Sequence, residues 1–170
     1  MIVINPVLLS TGNNNWSTPQ WFFDRLNSIF GFTLDPCADD TNHKCKQYYT
    51  VQDNGLTKNW GGQIVFCNPP YGRRTKDNPG QEDWIEKCWK ECKEHHITSV
   101  MLIPARTDTK SQHTYIFPNA KYVCFVKGRL KFGDKDAAPF PSEIVVFTEQ
   151  NYDDEIKTLS DLGFWIKLKK

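Results

Sequence analysis

Between Gln63 and Pro104 the chain switches from one hydrophobic pattern to another and back, and this restricts the fold more than any other feature. Residues 63–67 and 98–103 are apolar runs of strand length, stopped by Pro69 and Pro104. Such uninterrupted runs suit strands buried on both faces. After the turn residues Asp77-Asn78-Pro79-Gly80, Trp84, Ile85, Cys88, Trp89 and Cys92 recur at helical spacing up to His95. Strand, helix, strand is a βαβ unit, whose crossover is right-handed in nearly all proteins.

Flanking segments extend the pattern. Thr18-Pro19 is a helix start, with a hydroxyl at the N-cap and proline at the first helical position; Phe22, Leu26 and Ile29 form one face and Gly31 stops it. Residues 32–35 read as a short strand, followed by a long loop to Gly62 of the kind that carries function. Residues 121–126 and 142–148 read as strands, 153–162 as a short helix, and 164–168 as an edge strand. The expected fold class is α/β, with an open, mostly parallel sheet covered by helices on both faces and ligands bound outside the carboxyl ends of its strands.

At 170 residues one domain is expected, with no separate target-reading domain and with residues 1–13 and 165–170 as loose termini. No stretch approaches the roughly 20 apolar residues of a membrane span. The start, Met1-Ile2-Val3-Ile4-Asn5-Pro6, lacks a basic leader region, so a cytoplasmic protein is expected. The six cysteines then read as reduced thiols. Cys88 and Cys92, one turn apart and followed by His95 and His96, are superficially ligand-like, but core packing is the better reading and no metal is expected.

Two strand ends carry the chemistry. Leu34-Asp35-Pro36-Cys37-Ala38 closes the first strand, and Asn68-Pro69-Pro70-Tyr71 closes the second. Proline fixes φ and gives up its N–H, so carbonyls in the second turn are held outward. The Asn68 side-chain oxygen can accept a hydrogen from an exocyclic amine, a carbonyl of the turn can take another, and Tyr71 can stack on a flat heterocycle.

Asn-Pro-Pro-Tyr is the signature of S-adenosylmethionine-dependent N-methyltransferases acting on adenine, cytosine N4 or glutamine amides. Taken with Trp16-Ser17-Thr18-Pro19-Gln20-Trp21-Phe22-Phe23, the Asp35 block, and Lys127-Gly128-Arg129-Leu130-Lys131-Phe132 followed by Ala138-Pro139-Phe140-Pro141-Ser142, it makes the chain resemble the phage-type DNA N6-adenine methyltransferases of the Dam group. The resemblance implies a Rossmann-like methyltransferase fold and site-specific methylation of adenine N6 in double-stranded DNA. S-adenosylmethionine would be the donor and S-adenosylhomocysteine the product, with no metal, membrane or obligate protein partner. Phage origin and a restriction-modification setting belong to the same implication.

Residue by residue, the resemblance gives catalysis to Asn68, Pro69, Pro70 and Tyr71. Thr18, Pro19 and the backbone at Asp35, Cys37 and Ala38 would line the methionine part of the donor, Pro36 and Asn68 would belong to the same donor site, and Asp53 would meet its adenine, although Asp53-Asn54-Gly55 alone reads as a turn. Asp39 or Asp40 would take the ribose hydroxyls. Net charge is only +1, so attraction to DNA must be local, through Arg73, Arg74 and Lys76 and through Lys127, Arg129, Lys131 and Lys135. The tail lysines 167, 169 and 170 read as a solvated end. Arg106 and Arg129 either contact phosphate or a guanine edge, or pair with an acid to brace loops.

Where many relatives in the wider class carry a glycine-rich turn after the first strand, this chain reads Asp35-Pro36-Cys37-Ala38-Asp39-Asp40-Thr41. That departure keeps open a DNA-binding relative without catalysis. Cytosine N4, RNA adenine and protein glutamine remain alternative acceptors.

Overall fold

The computed structural model describes residues 16–133 and 136–168. Helix α1, Gln20–Phe30, buries Phe22, Phe23, Leu26 and Phe30 and stops at Gly31, whose φ of 65° is the left-handed conformation glycine adopts without steric cost. Strand β1, Leu34–Asp35, is short, and the following loop leads to β2, Gln47–Tyr48. Strand β3, Ile64–Cys67, leads through the proline turn to α2, Gln81–His95, and then to the fully buried β4, Thr98–Pro104. A π-turn at Gln112–Ile116 runs into the short α3, Phe117–Asn119, neither of which the sequence pattern announces. Strands β5, Tyr122–Val126, and β6, Ser142–Phe147, precede α4, Asp153–Lys157, and β7, Gly163–Lys167. The edge strand expected at 164–168 is β7, which takes up residues 165–167 of the expected loose terminus; residues 1–13 and Lys169 and Lys170 lie outside the described residues.

The protein is mixed α/β, built on one seven-stranded sheet in the order β2-β1-β3-β4-β6-β5-β7. The expectation of a mostly parallel sheet fits only one side of it. Strands β2, β1, β3 and β4 are parallel neighbours, whereas β4–β6, β6–β5 and β5–β7 are antiparallel and carry most of the paired residues. The reason is connection length. The described residues of 127–141 hold no helix that could carry the chain across the sheet face, and β6 comes back antiparallel to β5 and enters between β5 and β4.

Helices cover both faces. Phe66 meets Phe23 of α1 edge-on at 5.1 Å, while the thiol of its neighbour Cys67 faces the free Cys88 thiol of α2 on the other face. Cys88 and Cys92 are buried in that helix interface, and among the described residues no cluster of His, Cys, Asp or Glu suits a metal. No helix among the described residues is long and apolar enough to cross a membrane.

The chain passes from β1 leftward to β2 and then returns to β3 on β1's other side. Adjacent parallel strands whose connections depart in opposite directions leave a crevice at their carboxyl ends. Asp35-Pro36-Cys37 and Asn68-Pro69-Pro70-Tyr71 both sit there.

Candidate active site

A crevice at these strand ends is lined by Trp16, Ser17, Thr18, Asp35, Cys37, Asn42, Lys44, Phe66 and Asn68. At its centre the Asn68 carboxamide is held from three sides. Its Nδ2 donates to the Trp16 carbonyl and to Thr18 Oγ1, the latter at 2.9 Å, while its Oδ1 accepts from the Tyr71 hydroxyl at 2.6 Å. Both amide hydrogens are spent on the 16–18 segment, which fixes the carboxamide's orientation and leaves further acceptor capacity on Oδ1.

Two expectations change here. Thr18 does not cap α1; Pro19 occupies the N-cap without a side-chain bond, because the Thr18 hydroxyl is turned toward Asn68 instead. Tyr71 is only 2% exposed, and its ring packs edge-on against Phe140 at 5.5 Å and Phe132 at 6.3 Å. The stacking face expected of Tyr71 is thus taken up by packing, and its hydroxyl works on Asn68. Burial raises the phenol's pKa well above its ordinary value, so it stays a donor. Phe140, half-buried, also meets Trp16 at 5.2 Å. Sequence reasoning placed Phe140 in a family block without seeing that it reaches the crevice wall.

On the β1 side, Asp35 is 4% exposed, with Oδ2 accepting from the Lys44 backbone at 3.0 Å and Oδ1 from the Cys37 backbone at 3.4 Å. Desolvation raises its pKa to about 6, against the opposing pull of these N–H groups. Pro36 is buried behind it, and Ala38 N–H donates to the Tyr49 carbonyl, tying the turn to the end of β2. Asp39 caps its own loop, accepting from Thr41 and Asn42, and Asp40 accepts from the Tyr48 hydroxyl. Asp53 is exposed and accepts from the Thr50 amide and hydroxyl, both at 2.8 Å, as a turn residue does. Its loop nevertheless lies against the site: a Cβ on Gly55 would sit 2.2 Å from the Pro36 carbonyl oxygen, so only glycine permits the approach. Asn42, Lys44 and Phe66 line the crevice unannounced by any motif, since only the fold of the 36–46 loop brings the first two there.

The basic residues divide. Arg73 and Lys76 are exposed on the 72–80 loop, whose base is closed by Gln81 N–H donating to the Gly72 carbonyl. Arg74 is instead engaged with Asp83 at the start of α2, so its side chain braces this loop. In the 128–133 segment Leu130 and Phe132 are buried and Arg129 and Lys131 exposed, with Gly133 N–H donating to the Ser17 carbonyl at 3.1 Å. Arg129 and Lys131 therefore face solvent beside the crevice. Arg106 is half-buried on the loop after β4, its carbonyl accepting from Thr109 Oγ1. Lys135 lies outside the described residues.

Two comparisons bear on this arrangement. The chain is 34% identical over 97 residues to a DNA N-6-adenine-methyltransferase of Haemophilus phage HP1, covering 56% of this chain and 52% of that protein. It is 33% identical over 96 residues to a DNA N-6-adenine-methyltransferase of Escherichia phage T1, covering 55% of this chain and 37% of that protein. It thus spans about half, or less, of these relatives' length. A family model described as DNA N-6-adenine-methyltransferase (Dam) matches residues 7–160, which takes in the crevice and all of the sheet but its last strand, and the chain belongs to that family.

Proposed function

We propose that this chain transfers a methyl group from S-adenosylmethionine to N6 of adenine in double-stranded DNA, on a Rossmann-like methyltransferase fold working in the cytoplasm. The observation that carries the reading is the Asn68 carboxamide, fixed by Trp16, Thr18 and Tyr71 in a crevice at the point where the strand order reverses. The lining fits the donor's chemistry. It offers a cation in Lys44, a buried carboxylate in Asp35, hydroxyls and amides in Ser17, Thr18 and Asn42, and an aromatic wall in Phe66 for a molecule with a zwitterionic end, a sulfonium centre and a purine. The turn at Asp35, Pro36, Cys37 and Ala38 and the lead-in at Thr18 and Pro19 would hold it, with the Asp53 loop closing the far side.

The bound donor supplies an activated methyl carbon on a sulfonium. Placement of the acceptor nitrogen in line is what remains, and that falls to Asn68, Pro69 and Pro70. Asn68 Oδ1, held in place by the Tyr71 hydroxyl, accepts a hydrogen bond from one amine hydrogen with its remaining lone pair, an outward carbonyl of the proline turn accepts one from the other, and the proton that the methylated nitrogen sheds leaves to solvent. Both acceptors face the nitrogen where positive charge develops, which favours the transition state over the ground state. Adenine within a duplex is out of reach, so the base must be flipped, at a cost of a few kcal/mol that contacts in the crevice offset. Exposed Arg73, Lys76, Arg129 and Lys131 are set to meet phosphate around it.

Incubation with labelled donor and unmethylated DNA, followed by nucleoside digestion, tests the proposal. N6-methyladenine is expected from the wild type and not from Asn68→Ala; label in another nucleoside, or none, overturns it.

A further inference from the structure

The long loop between β1 and β2 brings a charge into the crevice that no motif assigns. Lys44 lines the crevice together with Ser17, Thr18 and Asn42. Lys44 as a residue is half-buried, and its ammonium donates to Oε1 of the exposed Gln20 at 2.9 Å. Gln20 is the first residue of α1, two residues on from Thr18, whose hydroxyl holds Asn68. The ammonium therefore stands at the opposite end of the same lead-in segment from the reacting position. An ammonium has three donors, and one is met here by a neutral amide. Burial lowers the Lys44 pKa against the attraction of Asp35 and Asp24.

The loop that carries Lys44 is held ready. Asp35, itself buried, takes the Lys44 backbone N–H; Asp39 takes the amides of Thr41 and Asn42; Asn42 Oδ1 takes the Asp39 amide at 2.9 Å; and the His43 ring meets the Cys45 carbonyl at 2.9 Å. Little ordering is left to be done when a ligand arrives, which favours affinity.

We infer that Lys44 binds the carboxylate of the donor's amino-acid end, orienting the sulfonium so that its methyl carbon faces Asn68. The assignment rests on the methyltransferase reading above and adds to it a cation outside every block of the family pattern.

The test compares two probes by calorimetric titration of the whole chain. S-adenosylhomocysteine carries the amino-acid end; 5′-methylthioadenosine keeps the adenosine and thioether but lacks it. Lys44→Met is expected to weaken S-adenosylhomocysteine about 10- to 100-fold, as loss of a charge-assisted hydrogen bond does. It should leave 5′-methylthioadenosine within about twofold of wild type, and Lys44→Arg should restore most of the loss. Equal weakening of both probes, or of neither, overturns the assignment. A wild type that binds neither probe removes the donor reading itself and this assignment with it, so the two failures are distinct. Thermal melts of Lys44→Met at wild-type temperature exclude a folding defect as the cause.

Discussion

The Tyr71 hydroxyl donates to Asn68 Oδ1 at 2.6 Å, with the Leu102 carbonyl as a second acceptor 3.2 Å from the hydroxyl oxygen. A residue whose ring is buried thus fixes the amide that the chemistry needs. Tyr71→Phe keeps the ring between Phe132 and Phe140 and removes only the oxygen. Methylation kcat should fall about 5-fold with little change in donor affinity, in line with one neutral hydrogen bond at roughly 1 kcal/mol. Single-turnover rates together with donor titration measure both quantities.

Tyr71→Ala is a different change. It empties a volume lined by Phe132, Phe140 and the β4 backbone, and a large-to-small change at a buried aromatic costs about 3 to 5 kcal/mol. Urea unfolding should separate it clearly from Tyr71→Phe, which loses about 1 kcal/mol.

Gly55 supports the site through absence of a side chain. A methyl group there would press into the Pro36 carbonyl at 2.2 Å and approach Trp84 at 3.3 Å. Gly55→Ala should cost about 1 to 3 kcal/mol by overpacking. It should also weaken donor binding, because relief of the clash pushes the Asp35-Pro36-Cys37 turn away from β3. Denaturant melts and donor titration on the same variant check the two effects.

Glu143 is fully buried on β6, bonded to Gln112 Nε2 at 3.3 Å through one oxygen, while Oε1 has no partner. Burial raises its pKa from 4.5 to about 7, outweighing the Gln112 bond. The unfolded chain releases this proton near pH 4.5 and the native state holds it until about 7, so the native state binds more protons between these values. Stability contributed at this residue must therefore fall as pH rises through that window. Glu143→Gln removes the ionisation and should stabilise the protein at pH 8 by up to about 3 kcal/mol, with the gain gone near pH 5. Urea midpoints at the two pH values provide the measurement.

Much of the frame was legible because it is local. Apolar runs closed by proline marked β3 and β4, the 3.6-residue recurrence from Trp84 to Cys92 marked α2, and Gly31 marked the end of α1. The antiparallel half was not legible as such, because strand direction depends on how residues 127–141 travel, and their composition does not reveal it. The same holds for Thr18, whose hydroxyl suits an N-cap by type but is drawn away by Asn68, 50 positions distant in sequence. Lys44 and Asn42 reach the crevice only because Asp35 and Asp39 fold the loop back, a long-range and side-chain-specific event that periodicity cannot report.

Arg129 and Lys131 alternate with Leu130 and Phe132, so the two buried residues anchor against the crevice wall while the two cations face outward. Their neighbour Gly133 bonds Ser17, which ties the segment to the lead-in that holds Asn68. If both cations meet phosphate, replacing Arg129 and Lys131 with Ala should weaken DNA binding uniformly across sequences. The slope of log K against log salt should lose about 2, since each phosphate contact contributes a slope near −0.9. Donor affinity and melting temperature should not change, because neither side chain packs inward. Fluorescence anisotropy with duplexes over a salt series reads the slope. A loss confined to one DNA sequence, with the slope intact, would instead assign Arg129 to a base edge.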